Sequence, residues 1–294
     1  MLQNALHHKN PFVRKASMKL LGGVKRALPR ANEGDLAELP PAIANSFPKS
    51  GTHLLDQIVG ALPGRVNYGE FLSSMTSSLT FRRRADADVA ATLARSRPGE
   101  IVRAHLFYGD QTAAALRGVN AAHFFIYRDP RDVVVSEAHY LRTMNRWHRL
   151  HKVFKQTATV EDAVRLAITG LAGRDDYFYP DIGERFRLYT PWIGNPRCCA
   201  VRFEDLTGEN AESEISRMAG FYAEFAADQI DTAELAQAMK AAIAPEKSHT
   251  FRSGKRGGWR EALTPELRRL FEETTNGLLV ELGYEPNRNW ADQA

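Results

Sequence analysis

Residues 42–62 read AIANSFPKSGTHLLDQIVGAL. A short apolar run at 42–46 is followed by a turn containing Pro48 and Gly51, then by apolar positions at helical spacing from Thr52 through Leu62. The reading is strand, loop, helix. The alternation recurs, with a strand expected at 101–104, a helix at 110–116, a strand at 121–127 and a helix at 132–143. Short apolar strands alternating with helices predict an α/β fold: one domain with a central parallel sheet flanked by helices.

Further along, residues 160–189 are expected to be mostly helical, with a strand near 198–203 and helices at 209–225, 232–244 and from Pro265 to about Leu282. Between them, residues 245–259 form a polar, glycine-bearing loop. Before the first strand, Phe12, Val13, Ala16, Leu20, Leu21 and Val24 recur at near-helical spacing with cations between them, which predicts an amphipathic helix over 10–27. Two readings stand for it: packing on the body of the protein, which Gly22 and Gly23 favour by weakening an isolated helix, or peripheral contact with a membrane whose anionic headgroups meet the cations. Residues 30–41 read as a linker, so a basic segment (1–40) precedes the domain (41–294).

The 294 residues are 44% hydrophobic and 25% charged, enough apolar material for a sizeable core and too much for intrinsic disorder. Seven of the 39 Lys and Arg fall in the first 30 residues, which contain no acid; the remainder, 32 cations against 35 acids, is slightly acidic and argues against a nucleic-acid-binding face. The two cysteines are adjacent, so neither a disulfide framework nor a four-cysteine zinc site is expected. His148 and His151 offer two ligands without a third nearby, and no metal site is expected. No apolar run is long enough to span a bilayer or to serve as a signal peptide, which predicts a cytoplasmic protein.

Three segments carry chemistry. In PKSGTHLL (48–55), a glycine-bearing loop feeds a helix N-terminus, where unpaired N–H groups and the helix dipole favour an anion; Lys49, Ser50 and Thr52 add donors. The alternative is a plain turn with Thr52 as N-cap. The lysine lies two residues before Gly51, so this is not a Walker A loop, and a magnesium nucleoside triphosphate is disfavoured. In YRDPRDVVVS (127–136), Arg128 at a strand end and Ser136 two helical turns on would share the rim of Lys49 and offer a guanidinium fork and a hydroxyl. The competing reading is a surface ion pair, Arg128 with Asp132 or Arg131 with Asp129. FRSGKRGGWR (251–260) combines four cations with three glycines, a composition that suits close backbone approach to an anion.

Together and in this order, the three segments resemble the cytosolic-type sulfotransferases that use 3′-phosphoadenosine-5′-phosphosulfate (PAPS), with a P-loop-like nucleotide-binding architecture. The resemblance runs over about residues 42–282. It implies that Lys49, Ser50, Gly51, Thr52 and His53 hold the 5′ end of the donor, that Arg128, Ser136, Arg252, Ser253 and Gly254 hold the 3′-phosphate, and that adenosine 3′,5′-bisphosphate (PAP) is the product. Phe203 takes the place of a family tyrosine but lacks its hydroxyl, and Leu54 replaces a tryptophan expected against adenine. His105 falls where the family has its catalytic base, with His139 and His148 as fallback candidates; a histidine titrating near neutrality suits that role. Tyr68, Phe71, Phe107, Tyr108, His139, Tyr140 and Trp147 fall where the acceptor pocket is assembled, a lining suited to a hydrophobic alcohol or phenol, a lipid or a glycoside. No metal is required for such chemistry. The family's usual dimer motif has no counterpart in residues 278–290, which leaves assembly open. Two other classes compete: an ATP-dependent phosphotransferase, and a non-catalytic nucleotide-binding module at a membrane surface.

Overall fold

The computed structural model describes residues 20, 22–24, 26, 36–64, 66–69, 71–173, 176–227, 229–244 and 256–292. Five parallel strands form one sheet in the order β2-β3-β1-β4-β5: β1 (Ala42–Ser46), β2 (Phe71–Ser73), β3 (Ile101–His105), β4 (Ala122–Tyr127) and β5 (Cys198–Arg202). The α/β expectation holds, and its physical reason is visible in β1 and β4, where every residue is buried. Their alternate side chains enter two cores. Ile43, Phe125 and Tyr127 pack with α4 (Pro130–His139), α6 (Val160–Thr169), α7 (Ile182–Arg187) and α12 (Pro265–Thr275), whereas Ala42, Ala44, Phe124 and Ile126 pack with α1 (Thr52–Val59), α9 (Ala211–Ala223) and α10 (Thr232–Ala241). From β1 the chain travels to the β2 edge and from β4 it travels to β5, so the carboxyl ends of β1 and β4 flank the point where the winding reverses, the usual ligand crevice of such sheets.

Several boundaries differ from expectation. The strand β2 and the helix α2 (Asp86–Leu93) had no counterpart in the sequence reading: β2 is a three-residue edge strand with one buried side chain, and α2 buries only Val89 and Leu93. The helix expected at 132–143 is α4 followed by a π-helical turn, Tyr140–Met144. Residues 160–189 are broken after α6 at Gly170, whose φ of 68° and approach to the Pro180 backbone leave no room for a Cβ. The last long helix is split by Asn276 and Gly277, both left-handed, into α12 and α13 (Leu278–Glu281), with α11 (Trp259–Ala262) preceding them. Three further helices complete the numbering: α3 (Asp110–Gly118), where a helix was expected at 110–116, α5 (His151–Lys155), and α8 (Phe203–Leu206) directly after β5.

Most of the basic helix expected over 10–27 lies outside the described residues. Of those described, Arg26 forms an ion pair with Glu100, beside the amino end of β3, and its guanidinium lies 4.4 Å from the Tyr68 ring. That docking is on the rim of the sheet opposite the carboxyl ends. Among the described residues, no helix is long and apolar enough to cross a membrane.

Candidate active site

The loop after β1 is shaped by two left-handed residues, Lys49 (φ 70°) and Gly51 (φ 98°). Gly51 is the N-cap of α1, and no side chain caps that helix, so its first-turn N–H groups face the crevice as donors. The expected alternative, Thr52 as N-cap, is therefore corrected: Thr52 is the first helical residue, and its hydroxyl meets Ser46 Oγ at 2.8 Å. Gly51 is also pressed against Phe203, since a Cβ there would lie 2.6 Å from the ring carbon Cδ2. Beneath the loop, Ser50 is fully buried and its Oγ has no hydrogen-bond partner among the described residues. A buried orphan hydroxyl under an uncapped helix end fits a group that brings anionic acceptor oxygens.

From β4, Arg128 projects toward the same crevice with its guanidinium 4.7 Å from the Phe203 ring. Phe203 thus wedges between the two loops, a packing role that needs no hydroxyl. Both ion pairs proposed as an alternative exist, yet neither is a surface pair. Arg128 donates to Asp132 Oδ2 (3.1 Å) with both side chains largely buried. Arg131 is 2% exposed, bonded to Asp129 and Glu285, and sandwiched between Trp259 (3.8 Å) and Trp290 (4.7 Å), which docks the C-terminal segment on the start of α4. Asp132 does more than neutralise Arg128: Oδ1 accepts the N–H of Trp259 and Oδ2 that of Gly257, each at 2.9 Å. One carboxylate therefore ties the second motif to the end of the third. Arg252, Ser253 and Gly254 lie outside the described residues.

A cavity of about 1470 Å³ opens at the carboxyl ends of the strands. Lys49, Gly51, Thr52, His53, Arg128, Ser136 and Phe203 line it together with His105, Phe71, Phe107, His139, Tyr140 and Trp147. Tyr68 and Tyr108 do not line it: Tyr68 is buried against Arg26 at the opposite rim, and Tyr108 packs on Trp192 with ring centroids 4.8 Å apart. Lys49 Nζ sits 4.1 Å from the centre of the Tyr140 ring, whose hydroxyl accepts from Asn145 Nδ2, so the lysine is poised between the loop and the far half of the cavity.

His105 ends β3 with Nδ1 2.7 Å from the carbonyl oxygen of Ser46 and 3.1 Å from its hydroxyl. A carbonyl only accepts, so Nδ1 carries the proton and Nε2 keeps the lone pair. Burial lowers the imidazole pKa to about 4, outweighing the hydrogen bonds that raise it. The expected near-neutral value is thereby corrected, and the ring is uncharged at pH 7. The Phe71 ring meets it edge to face at 4.7 Å.

Other lining groups escaped the sequence reading. Arg103, two residues before His105 on the same face of β3, stands 3.9 Å from Asp56 of α1, whose carboxyl burial pushes up to about 6. Glu137, one residue past Ser136, accepts from Tyr179 and Arg185. Partners 42 and 48 residues away leave no local pattern that would mark Glu137.

The sulfotransferase domain family model matches residues 40–283. The chain belongs to the sulfotransferase family. Its fold is similar to that of mouse sulfotransferase SULT7A1 complexed with PAP (TM-score 0.56, 17% identity, covering 88% of this chain and 92% of that one). It is also similar to retinol dehydratase in complex with androsterone and inactive cofactor PAP (TM-score 0.53, 18% identity, covering 87% and 84%). A search of curated protein sequences found no significant match.

Proposed function

We propose that this family member transfers a sulfuryl group from PAPS to an acceptor hydroxyl, releasing PAP. The observation that carries the reading is that an uncapped helix end with Lys49 and an uncharged histidine with its Nε2 lone pair available line one cavity. PAPS supplies an activated sulfuryl group on its 5′-phosphate. Lys49, the first-turn N–H groups of α1, Ser50 and Thr52 would hold the 5′ end, with Arg128 and Ser136 toward the 3′-phosphate; Arg252, Ser253 and Gly254 are proposed there from sequence alone. His105 Nε2 takes the proton of the attacking hydroxyl while Nδ1–H stays on the Ser46 carbonyl, which fixes the ring as it becomes charged. Lys49 and the loop amides stabilise the negative charge that develops on the departing phosphate oxygen.

Away from the loop the cavity is lined by Phe71, Met75, Phe107, Tyr140, Met144, Trp147 and Phe178, interleaved with polar groups such as Ser77, Asn145 and Arg146. It supports as acceptor a hydroxyl carried on a largely apolar molecule: an alcohol or phenol, a lipid, or a glycoside with an apolar aglycone. Calorimetry of PAP binding without magnesium, with adenosine 5′-monophosphate as control, tests the reading. Tight binding that needs the 3′-phosphate is expected. Equal binding of the control, or none of either, rejects the reading.

A further inference from the structure

Around the acceptor half of the cavity, three of its lining side chains are large, apolar and open to solvent: Phe71 (44% exposed), Met144 (48%) and Trp147 (50%). They come from two stretches that the fold joins. The N–H of Arg149 donates to the Ser78 carbonyl at 2.6 Å, and the Phe81 and His148 rings meet at 4.6 Å. Both stretches lack acids. Residues 71–85 contain Arg82, Arg83 and Arg84, and residues 138–160 contain Arg142, Arg146, Arg149, Lys152 and Lys155, with no Asp or Glu in either. Arg84 and Arg146 line the cavity itself. Asp176 is paired with Arg149, and Arg142 is held by the carbonyls of Thr157 and Ala158.

We propose that this mouth docks on an anionic membrane surface, with Trp147, Met144 and Phe71 reaching the headgroup boundary and the surrounding cations meeting anionic lipids. The inference deepens the sulfotransferase reading, on which it rests for its consequence: the acceptor is an amphiphile presented from the lipid, its hydroxyl directed toward His105. The mixture of side chains favours a membrane over a soluble polyanion, because an interface takes up both the cations and the contiguous apolar surface of Phe71, Met144 and Trp147, whereas a hydrated polymer would leave most of that apolar surface uncovered. The surface also differs from that of the basic N-terminal segment, whose Arg26 is docked at the opposite rim of the sheet.

Tryptophan emission tests the docking in the full chain, because Trp192, Trp259 and Trp290 are at most 6% exposed and residues 1–40 contain no tryptophan. Vesicles of equal parts phosphatidylserine and phosphatidylcholine are expected to bind the chain, to shift its emission to the blue, and to quench it when the acyl chains are brominated. Trp147→Ser abolishes the emission change. Arg146→Glu, combined with Lys152→Glu, lowers partitioning at least about tenfold, since each cation near such a surface contributes roughly fivefold. Thermal melting of both variants confirms that they are folded. Absence of binding, binding with unchanged emission, or equal binding to phosphatidylcholine alone would overturn the proposal. PAP calorimetry on the wild-type chain decides the sulfotransferase reading separately, so either can fail without the other.

Discussion

In the proposed reaction, a backbone contact equips His105 to serve as a base. Its Nδ1 is committed to Ser46, and burial keeps the ring neutral down to about pH 4, so the proton-accepting form predominates throughout the physiological range. His105→Ala is expected to reduce turnover at least about a hundredfold without loss of fold. The pH dependence of kcat/KM is expected to be flat through neutrality and to fall only as pH drops through about 4, where protonation removes the base. A break near 6.5 that disappears in the variant would contradict the lowered imidazole pKa. Lys49 is proposed to act on the other partner of the reaction. Lys49→Ala should cost about 10²–10³ in kcat, the range for losing one donor to developing charge, with a smaller change in acceptor KM. Single-turnover rates at saturating PAPS separate that outcome from simple loss of donor binding. Both residues stood out in the sequence for different reasons: Lys49 from the loop chemistry around it, His105 only through the family likeness.

At the scale of elements, the site is two strand-to-helix connections and one wedge. The pattern of apolar runs marked β1, β3, β4 and β5 because their side chains are buried on both faces, and it marked the two loops because helices follow them directly. It did not mark β2 or α2, which bury one and two side chains and so leave almost no period. Nor did it mark Tyr68 and Tyr108 as lying outside the cavity, since residue type says nothing about which rim a side chain reaches. Phe203 was legible as a motif position but not as a wedge. Its contact with Gly51 gives a sharp expectation: Gly51→Ala combines a left-handed φ with a methyl driven into the ring, so the strain alone amounts to at least about 1 kcal/mol. PAP affinity is expected to fall more than tenfold with a lowered Tm. A variant that binds PAP normally would show that the loop adopts another shape in solution. Asp132 is the second joint. Asp132→Ala releases Arg128 and the amides of Gly257 and Trp259 together, and should weaken PAP through the 3′-phosphate end while adenosine 5′-phosphosulfate, which lacks that phosphate, is affected much less.

Across the whole molecule, burying a parallel sheet on both faces places some titratable groups where water cannot reach them. His123 is the clearest case. It lies in the middle of the sheet on β4, 1% exposed, with neither ring nitrogen bonded among the described residues and its ring edge to face with Trp192 at 4.5 Å. Burial pushes its pKa down from 6.5 to about 3. Between those values the unfolded chain binds a proton that the folded chain refuses, so stability rises with pH across the window and is lost as pH falls below about 6.5, by up to about 1.4 kcal/mol per unit for one such site. His105 adds the same sign over its narrower window. His123→Phe keeps an aromatic ring against Trp192 and removes the titration. Urea unfolding of both proteins at pH 7 and pH 5 should show the wild type losing roughly 2 kcal/mol more than the variant over that interval. Equal losses would mean that the imidazole reaches a hydrogen-bond acceptor or solvent in the folded protein, and that His123 is not the source of the acid sensitivity.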